Sequence, residues 1–321
     1  SNRSITGVGF QPDMVWFKNR AATEDPCIYD VLRGAEIRLT PSDTGGDDDR
    51  GSVGLTSFDS DGFTIGSGGE LNGNNQGIVA WCWKANGSGS ANSDGALSST
   101  VSANTAAGFS IVNFTGNGSG TTVGHGLSKA PELIITKGRN FTDAWHTQVY
   151  PSIVATKTVL LNTTGAETTS NAFNNTAPTT SVFSVSTGYA SNTRTLAAYC
   201  FHSVDGYSKI GTYTGNAAGD DGLGPFIYTG FRPKFLLVKK QTNVADWHIF
   251  DAARDTDNDV KEYLKANSNA AEATSSANAT IFDFTSNGFK LRGASGDVNG
   301  NNETYIYMAF AETQQKYSNA R

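Results

Sequence analysis

The sequence predicts an all-β protein: three tandem antiparallel β-sandwich repeats of jelly-roll or lectin-like type, with very little helix. Short runs rich in Val, Ile, Phe, Tyr, Trp and Thr alternate with clusters of Gly, Asn, Asp and Ser, the pattern of short strands joined by tight turns. One pattern recurs three times with a period of roughly 100 to 120 residues, too long for a solenoid unit or a propeller blade and suited to one small sandwich. Glycine supplies 36 of the 321 residues, and charged residues only 17% against the roughly 25% usual in globular domains, so neutral polar side chains cover the surface.

The first copy spans residues 1–85 and carries the block Gly9-Phe10-Gln11-Pro12-Asp13-Met14-Val15-Trp16-Phe17-Lys18. Its counterparts are Ala130-Pro131-Glu132-Leu133-Ile134-Ile135-Thr136-Lys137 in a second copy, residues 108–203, and Gly230-Phe231-Arg232-Pro233-Lys234-Phe235-Leu236-Leu237-Val238-Lys239 in a third, residues 204–321. Each copy closes on an apolar, aromatic run: Ile78-Val79-Ala80-Trp81-Cys82-Trp83, Leu196-Ala197-Ala198-Tyr199-Cys200-Phe201 and Tyr305-Ile306-Tyr307-Met308-Ala309-Phe310. Between these landmarks Ser57-Phe58-Asp59-Ser60-Asp61-Gly62-Phe63 matches Asp283-Phe284-Thr285-Ser286-Asn287-Gly288-Phe289. The Asp-Gly and Asn-Gly pairs predict a tight hairpin, with Phe183 to Tyr189 as its degenerate second copy.

Copies two and three open on a further shared block, Gly108-Phe109-Ser110-Ile111-Val112-Asn113-Phe114-Thr115-Gly116-Asn117 and Gly206-Tyr207-Ser208-Lys209-Ile210-Gly211-Thr212-Tyr213-Thr214-Gly215-Asn216. Copy one lacks it. By spacing it falls before Ser1, so the chain is expected to begin inside its first repeat, cut from something longer, and to leave a sheet edge unpaired unless another segment fills it. Residues 86–107, rich in Gly, Ser, Asn and Ala, read as a linker, whereas His202 to Asp205 join copies two and three closely enough to predict rigid packing of those two. Asp259 to Lys265 is the best helix candidate, opened by acidic residues able to cap it.

With 24 Lys and Arg against 30 Asp and Glu, the net charge of −6 disfavours nucleic acid and anionic membrane surfaces as partners. No run approaches the roughly 18 to 20 apolar residues of a membrane helix. Cys27, Cys82 and Cys200 lie far apart, show no metal spacing and are odd in number; Cys82 and Cys200 sit in apolar runs as small hydrophobes.

The four histidines, His125, His146, His202 and His248, come with no nucleophile elbow and make no triad. The repeated pairs Trp145-His146 and Trp247-His248 have two readings. Alternation along a strand sends Trp into the core and His to the surface, or the pair forms an exposed platform for a sugar ring. Asp30 and Arg33, repeated as Asp251 and Arg254, have the spacing of an ion pair fastening a turn. Asp255, Asp257 and Asp259 begin like a calcium loop, with Asp43 and Asp47 to Asp49 as a second acidic cluster. Val260 then stands where the loop needs Gly and Ala266 where it needs a bidentate Glu, which favours a solvated acidic loop. Triplets such as Asn278-Ala279-Thr280 are frequent by chance in so Asn- and Thr-rich a chain.

The phrases Gly9 to Asp13, Leu55 to Phe63, Val123-Gly124-His125-Gly126-Leu127-Ser128-Lys129-Ala130-Pro131 and Tyr305 to Glu312 resemble a repeated module of marine bacteriophage and cyanophage virion proteins, tail-fibre-like or lectin-like. The ending Tyr317-Ser318-Asn319-Ala320-Arg321 is similar to that family's C-termini. The resemblance implies a virion location and a structural role, with other virion proteins or host surface glycans as partners, a homotrimer as one assembly, and no catalytic motif. The expected function is therefore non-enzymatic adhesion through displayed loops. Capsid decoration and a polysaccharide depolymerase are the alternatives. A site confined to one copy should show residues with no counterpart in the others.

Overall fold

The computed structural model describes residues 2–219, 223–276 and 281–312. Asn278 to Thr280 and the ending from Tyr317 lie outside the described residues.

Copy one contributes β1 (Arg3–Thr6), β2 (Met14–Asn19), β3 (Cys27–Asp30), β4 (Gly34–Leu39), β5 (Asp48–Asp49), β6 (Leu55–Asp59), β7 (Gly62–Ile65) and β8 (Ile78–Trp83). The stretch read as a linker instead folds as β9 (Ser90–Asn92) and β10 (Ser99–Asn104). Copy two supplies β11 (Phe109–Thr115), β12 (Thr122–Gly124), β13 (Leu133–Gly138), β14 (His146–Val149), β15 (Lys157–Leu160), β16 (Thr168–Thr169), β17 (Val182–Ser184) and β18 (Thr195–Phe201). Copy three supplies β19 (Ser208–Thr214), β20 (Phe226–Tyr228), β21 (Phe235–Lys240), β22 (Trp247–Asp251), β23 (Glu262–Lys265), β24 (Ala273–Thr274), β25 (Phe282–Thr285), β26 (Gly288–Leu291) and β27 (Thr304–Phe310). Helix among the described residues is confined to single turns such as α1 (Gly69–Asn72) and α2 (Gly296–Asn299). None is long and apolar enough to cross a membrane.

The strands pair antiparallel into large sheets of order β5-β4-β3-β2-β8, β16-β15-β14-β13-β18-β11-β10-β9 and β19-β27-β21-β22-β23-β24, and small ones of order β1-β7-β6, β12-β17 and β20-β26-β25. Each large sheet buries one face against a small one, the two-layer solution for sheets with one apolar face. Val15, Phe17, Cys27 and Tyr29 meet Leu55, Phe63 and Ile65. In the same way Phe114, Ile134 and Leu196 meet Val123 and Phe183, and Val238, Phe250 and Tyr305 meet Ile227, Phe282 and Phe289.

Two hairpins form at the expected places, but their turns are Ser60-Asp61 and Ser286-Asn287, and the glycine already belongs to the next strand. Its role is close approach. A Cβ at Gly62 would lie 1.9 Å from the carbonyl oxygen of Ile5, and one at Gly288 2.1 Å from that of Ile227, because a third strand pairs alongside each. Copy two has no such hairpin; there β17 pairs with β12 and a turn follows at Ser186 to Ala190. The predicted helix at Asp259 to Lys265 is a strand, since Glu262–Lys265 pairs with both β22 and β24 and long-range pairing outweighs weak local propensity.

The chain forms two compact units. One comprises Ser1–Asn162, Thr169–Phe201 and Asn267–Ala271, the other Thr163–Thr168, His202–Ala266 and Glu272–Arg321. Most of copy two thus falls in the same unit as copy one. In the first unit β9 and β10 extend the sheet of copy two, and the hydroxyl of Tyr199 donates to Asp30 at 2.8 Å.

Candidate ligand-binding face

The Trp-His pairs are not at the surface. Trp145 is 0% exposed; its Nε1 donates to the carbonyl of Thr40 at 3.0 Å, and its backbone N–H to Asn162 at 3.0 Å. His146 is half-buried, 3.5 Å from the Asp143 carboxylate and edge-on to Tyr189. Burial of Asp143 is outweighed by the bonds from His146 and from the Ala144 N–H, which hold its carboxyl below the ordinary value. Trp247 and His248 are each 1% exposed. Strand β22 is covered on both faces, so alternation puts neither ring in water, and burial pushes the His248 imidazole down to about 4. These pairs present no stacking platform.

The acidic loop gathers no ion-binding cluster either. Among the described residues no group of three carboxylates, histidines or cysteines is placed to hold a metal. The Asp255 carboxylate accepts the N–H groups of Lys261 and Glu262, at 2.7 and 3.1 Å, while Asp259 faces Lys261 at 3.7 Å. These bonds fasten the entry to β23.

The turn pairs are ion pairs, and buried ones. Arg33 Nε and Arg254 Nε each lie 2.6 Å from Oδ2 of Asp30 and Asp251, while the other carboxylate oxygen accepts backbone N–H groups of the turn. The guanidinium of Arg33 also donates to the carbonyls of Ile28 and Ile37.

Sequence reasoning assigned no role to three lysines at one repeat position, although the repetition was visible. Lys18, Lys137 and Lys239 stand next to last on equivalent strands and are buried. Lys18 Nζ donates to the carbonyls of Asn19, Glu24 and Asn269, Lys137 to those of Thr44 and Asp143, and Lys239 to those of Thr164 and Lys240. Burial pushes all three down to about 8, and each is committed to holding loops.

Surface chemistry confined to one copy appears on β20. Phe226 and Tyr228 are 47% and 63% exposed, on one face of the strand, while Ile227 between them enters the core. Residues two apart in a strand project side by side, about 6.6 Å apart. Pairing equates Phe226 with Ser4 and Thr122, and Tyr228 with Thr6 and Gly124, because Ile227, Ile5 and Val123 lie opposite Phe289, Phe63 and Phe183. No other copy has rings there. Leu223 is exposed nearby, where its carbonyl accepts from Asn216, and Lys290 beside Phe226 donates to Gly224. Copy two has its own distinctive opening, a groove of about 610 Å³ lined by Ser98, Thr100, Asn113, Asn117 and Arg139 among others, one wall of which is the unrepeated β9–β10 segment.

No curated protein and no solved structure matches the chain. A family model described as a domain of unknown function, DUF7483, matches residues 1–314, and the chain therefore belongs to that family.

Proposed function

We propose that the chain is a non-enzymatic adhesion module of a phage particle, tail-fibre-like or on the virion surface, which binds host surface glycan through Phe226 and Tyr228. The observation that carries this reading is the pair of rings held side by side in water on one strand and absent from the equivalent strands. Large rings in water cost hydration free energy, and a sugar's apolar face recovers it while the Tyr hydroxyl bonds to the ring substituents. The neutral polar groups around them add hydrogen bonds without long-range charge. The virion location rests on the resemblance to marine phage modules. The deeply buried cations support a structural role, because Lys18, Lys137, Lys239 and Arg33 all hold carbonyls or a carboxylate.

Retention of the chain on polysaccharide from a host envelope tests the site. Phe226→Ala and Tyr228→Ala should each weaken it at least tenfold with the thermal midpoint unchanged. Full retention by the double variant would remove β20 as the site.

A further inference from the structure

The groove of copy two lies along one face of its large sheet. Register sets Thr100 of β10 opposite Asn113 of β11, Ala91 of β9 opposite Thr100, and Thr115 opposite Thr195 of β18. Their strand neighbours Val101, Val112, Phe114 and Leu196 enter the core, so alternation puts Thr100, Asn113, Thr115 and Thr195 together on the other face. Copy one closes part of that face, where Ile135, Tyr199 and Phe201 meet Met14, Trp16, Ile28 and Trp83 around a void of about 10 Å³. The remainder is open, with Ser98, Thr100, Thr115 and Asn117 exposed. In copy three β19 ends its sheet, whereas β11 continues into β10 and β9, and that extension supplies one side of the groove.

At about 610 Å³ the groove falls within the roughly 300–1,000 Å³ of small-molecule sites. Hydroxyls and amides converge on it. The hydroxyls of Ser98, Thr100, Thr115 and Thr195 make no hydrogen bond among the described residues. Asn113, half-buried between them, has an amide oxygen without a partner, and turning that amide toward a ligand hydroxyl satisfies it. Arg139 is the charged residue of the lining, and its Nε and Nη2 lie 2.9 and 2.8 Å from Oδ2 of Asp47. With that charge compensated, the groove suits an uncharged ligand rich in hydroxyls, which donate and accept as Ser, Thr and Asn side chains do. Phe114, the ring in its lining, is only 4% exposed, so a ligand meets polar groups rather than an aromatic face.

We propose that this groove is a second carbohydrate site, separate from β20, that holds a neutral oligosaccharide by hydrogen bonds to Thr100, Asn113, Thr115 and Thr195. Its support is independent of Phe226 and Tyr228. These four side chains stand on three neighbouring strands about 4.8 Å apart, a row suited to the successive hydroxyls of a sugar chain. Hydrogen bonds exchanged against water contribute little each, so the groove binds weakly and retention on a polymer still depends on β20.

The test uses the chain carrying Phe226→Ala and Tyr228→Ala, in which β20 is silenced. It is titrated into the millimolar range with hexasaccharides of glucose, galactose and mannose and, as the anionic comparison, with oligogalacturonate, while the side-chain amide signal of Asn113 is followed by NMR. At least one neutral hexasaccharide should shift that signal saturably. Thr100→Trp, which fills the groove, should abolish the shift, and Thr115→Val, which removes a hydroxyl at nearly constant shape, should weaken binding at least threefold. Absence of a saturable shift with every neutral hexasaccharide, or unchanged affinity in these variants, overturns the proposal; the Thr115→Val arm stands even if Thr100→Trp does not fold. Tighter binding of oligogalacturonate overturns it too, because the ligand would then have drawn Arg139 away from Asp47.

Discussion

Arg33 and Asp30 form a buried ion pair three residues apart, Nε to Oδ2 at 2.6 Å, with both side chains out of contact with water. Its partners are complete: Tyr199 donates to the same carboxylate oxygen, and the guanidinium reaches the carbonyls of Ile28 and Ile37. Burial disfavours the guanidinium's charge, and the Asp30 carboxylate more than restores it. Breaking such a pair from one side leaves a buried charge uncompensated, at a cost of about 3 to 5 kcal/mol. Arg33→Ala should therefore lose stability of that order in urea unfolding. Loss below about 1 kcal/mol would show the turn to be solvated.

Gln148 points the other way. It is buried in β14 with neither amide atom bonded to a protein group, at the position held by Tyr29 and Phe250 in the other copies. An unpaired buried amide costs about 1 to 3 kcal/mol. Gln148→Leu is expected to raise stability by about that amount, read as an increased urea midpoint at unchanged slope.

The buried lysines and thiols set opposing dependences on pH. Lys18, Lys137 and Lys239 lie near 8 in the folded chain against 10.5 unfolded, so between those values the unfolded chain holds the extra proton and stability rises with pH. Burial pushes Cys27 and Cys82 up to about 12 from 9.0 and raises Cys200 as well, so above about 9 the folded chain holds the extra proton and stability falls. His248, pushed down to about 4 from 6.5, withdraws stability as pH falls through that interval. Urea midpoints from pH 4 to 10.5 should climb to a maximum near pH 9. A monotonic fall above pH 7 would contradict the lysine assignment.

Lys137 tests the loop-holding role directly. Its ammonium donates to the Thr44 and Asp143 carbonyls at 2.8 and 2.7 Å. Lys137→Met keeps the stem and removes the donor, and should cost about 1 to 3 kcal/mol. An unchanged urea midpoint would mean that those carbonyls find other donors.

Period-two patterning exposed the strands and the repeat because every core face obeys it: Val15 and Phe17, Ile134 and Thr136, Leu236 and Val238 all lie on matching faces. β8 ends its sheet, whereas β18 and β27 lie inside theirs. Position along the chain could not show burial on the second face, which is why Trp247-His248 reads as half-exposed in sequence and is buried in the fold. Residues 86–107 lack apolar runs, and pairing with β11 and β9 makes β10 a strand. Phe226 and Tyr228 looked like ordinary strand aromatics, since nothing local tells a ring in water from one in the core. Their lack of counterparts at Ser4, Thr6, Thr122 and Gly124 was the available signal.

The most direct test of glycan adhesion incubates the purified chain with host envelope polysaccharide and follows retention and the appearance of new reducing ends together. The account predicts saturable retention, abolished by Phe226→Ala with Tyr228→Ala, and no release. Release of reducing ends would make the chain a depolymerase, and no retention at all would leave other virion subunits as its partners; either result contradicts the adhesion reading.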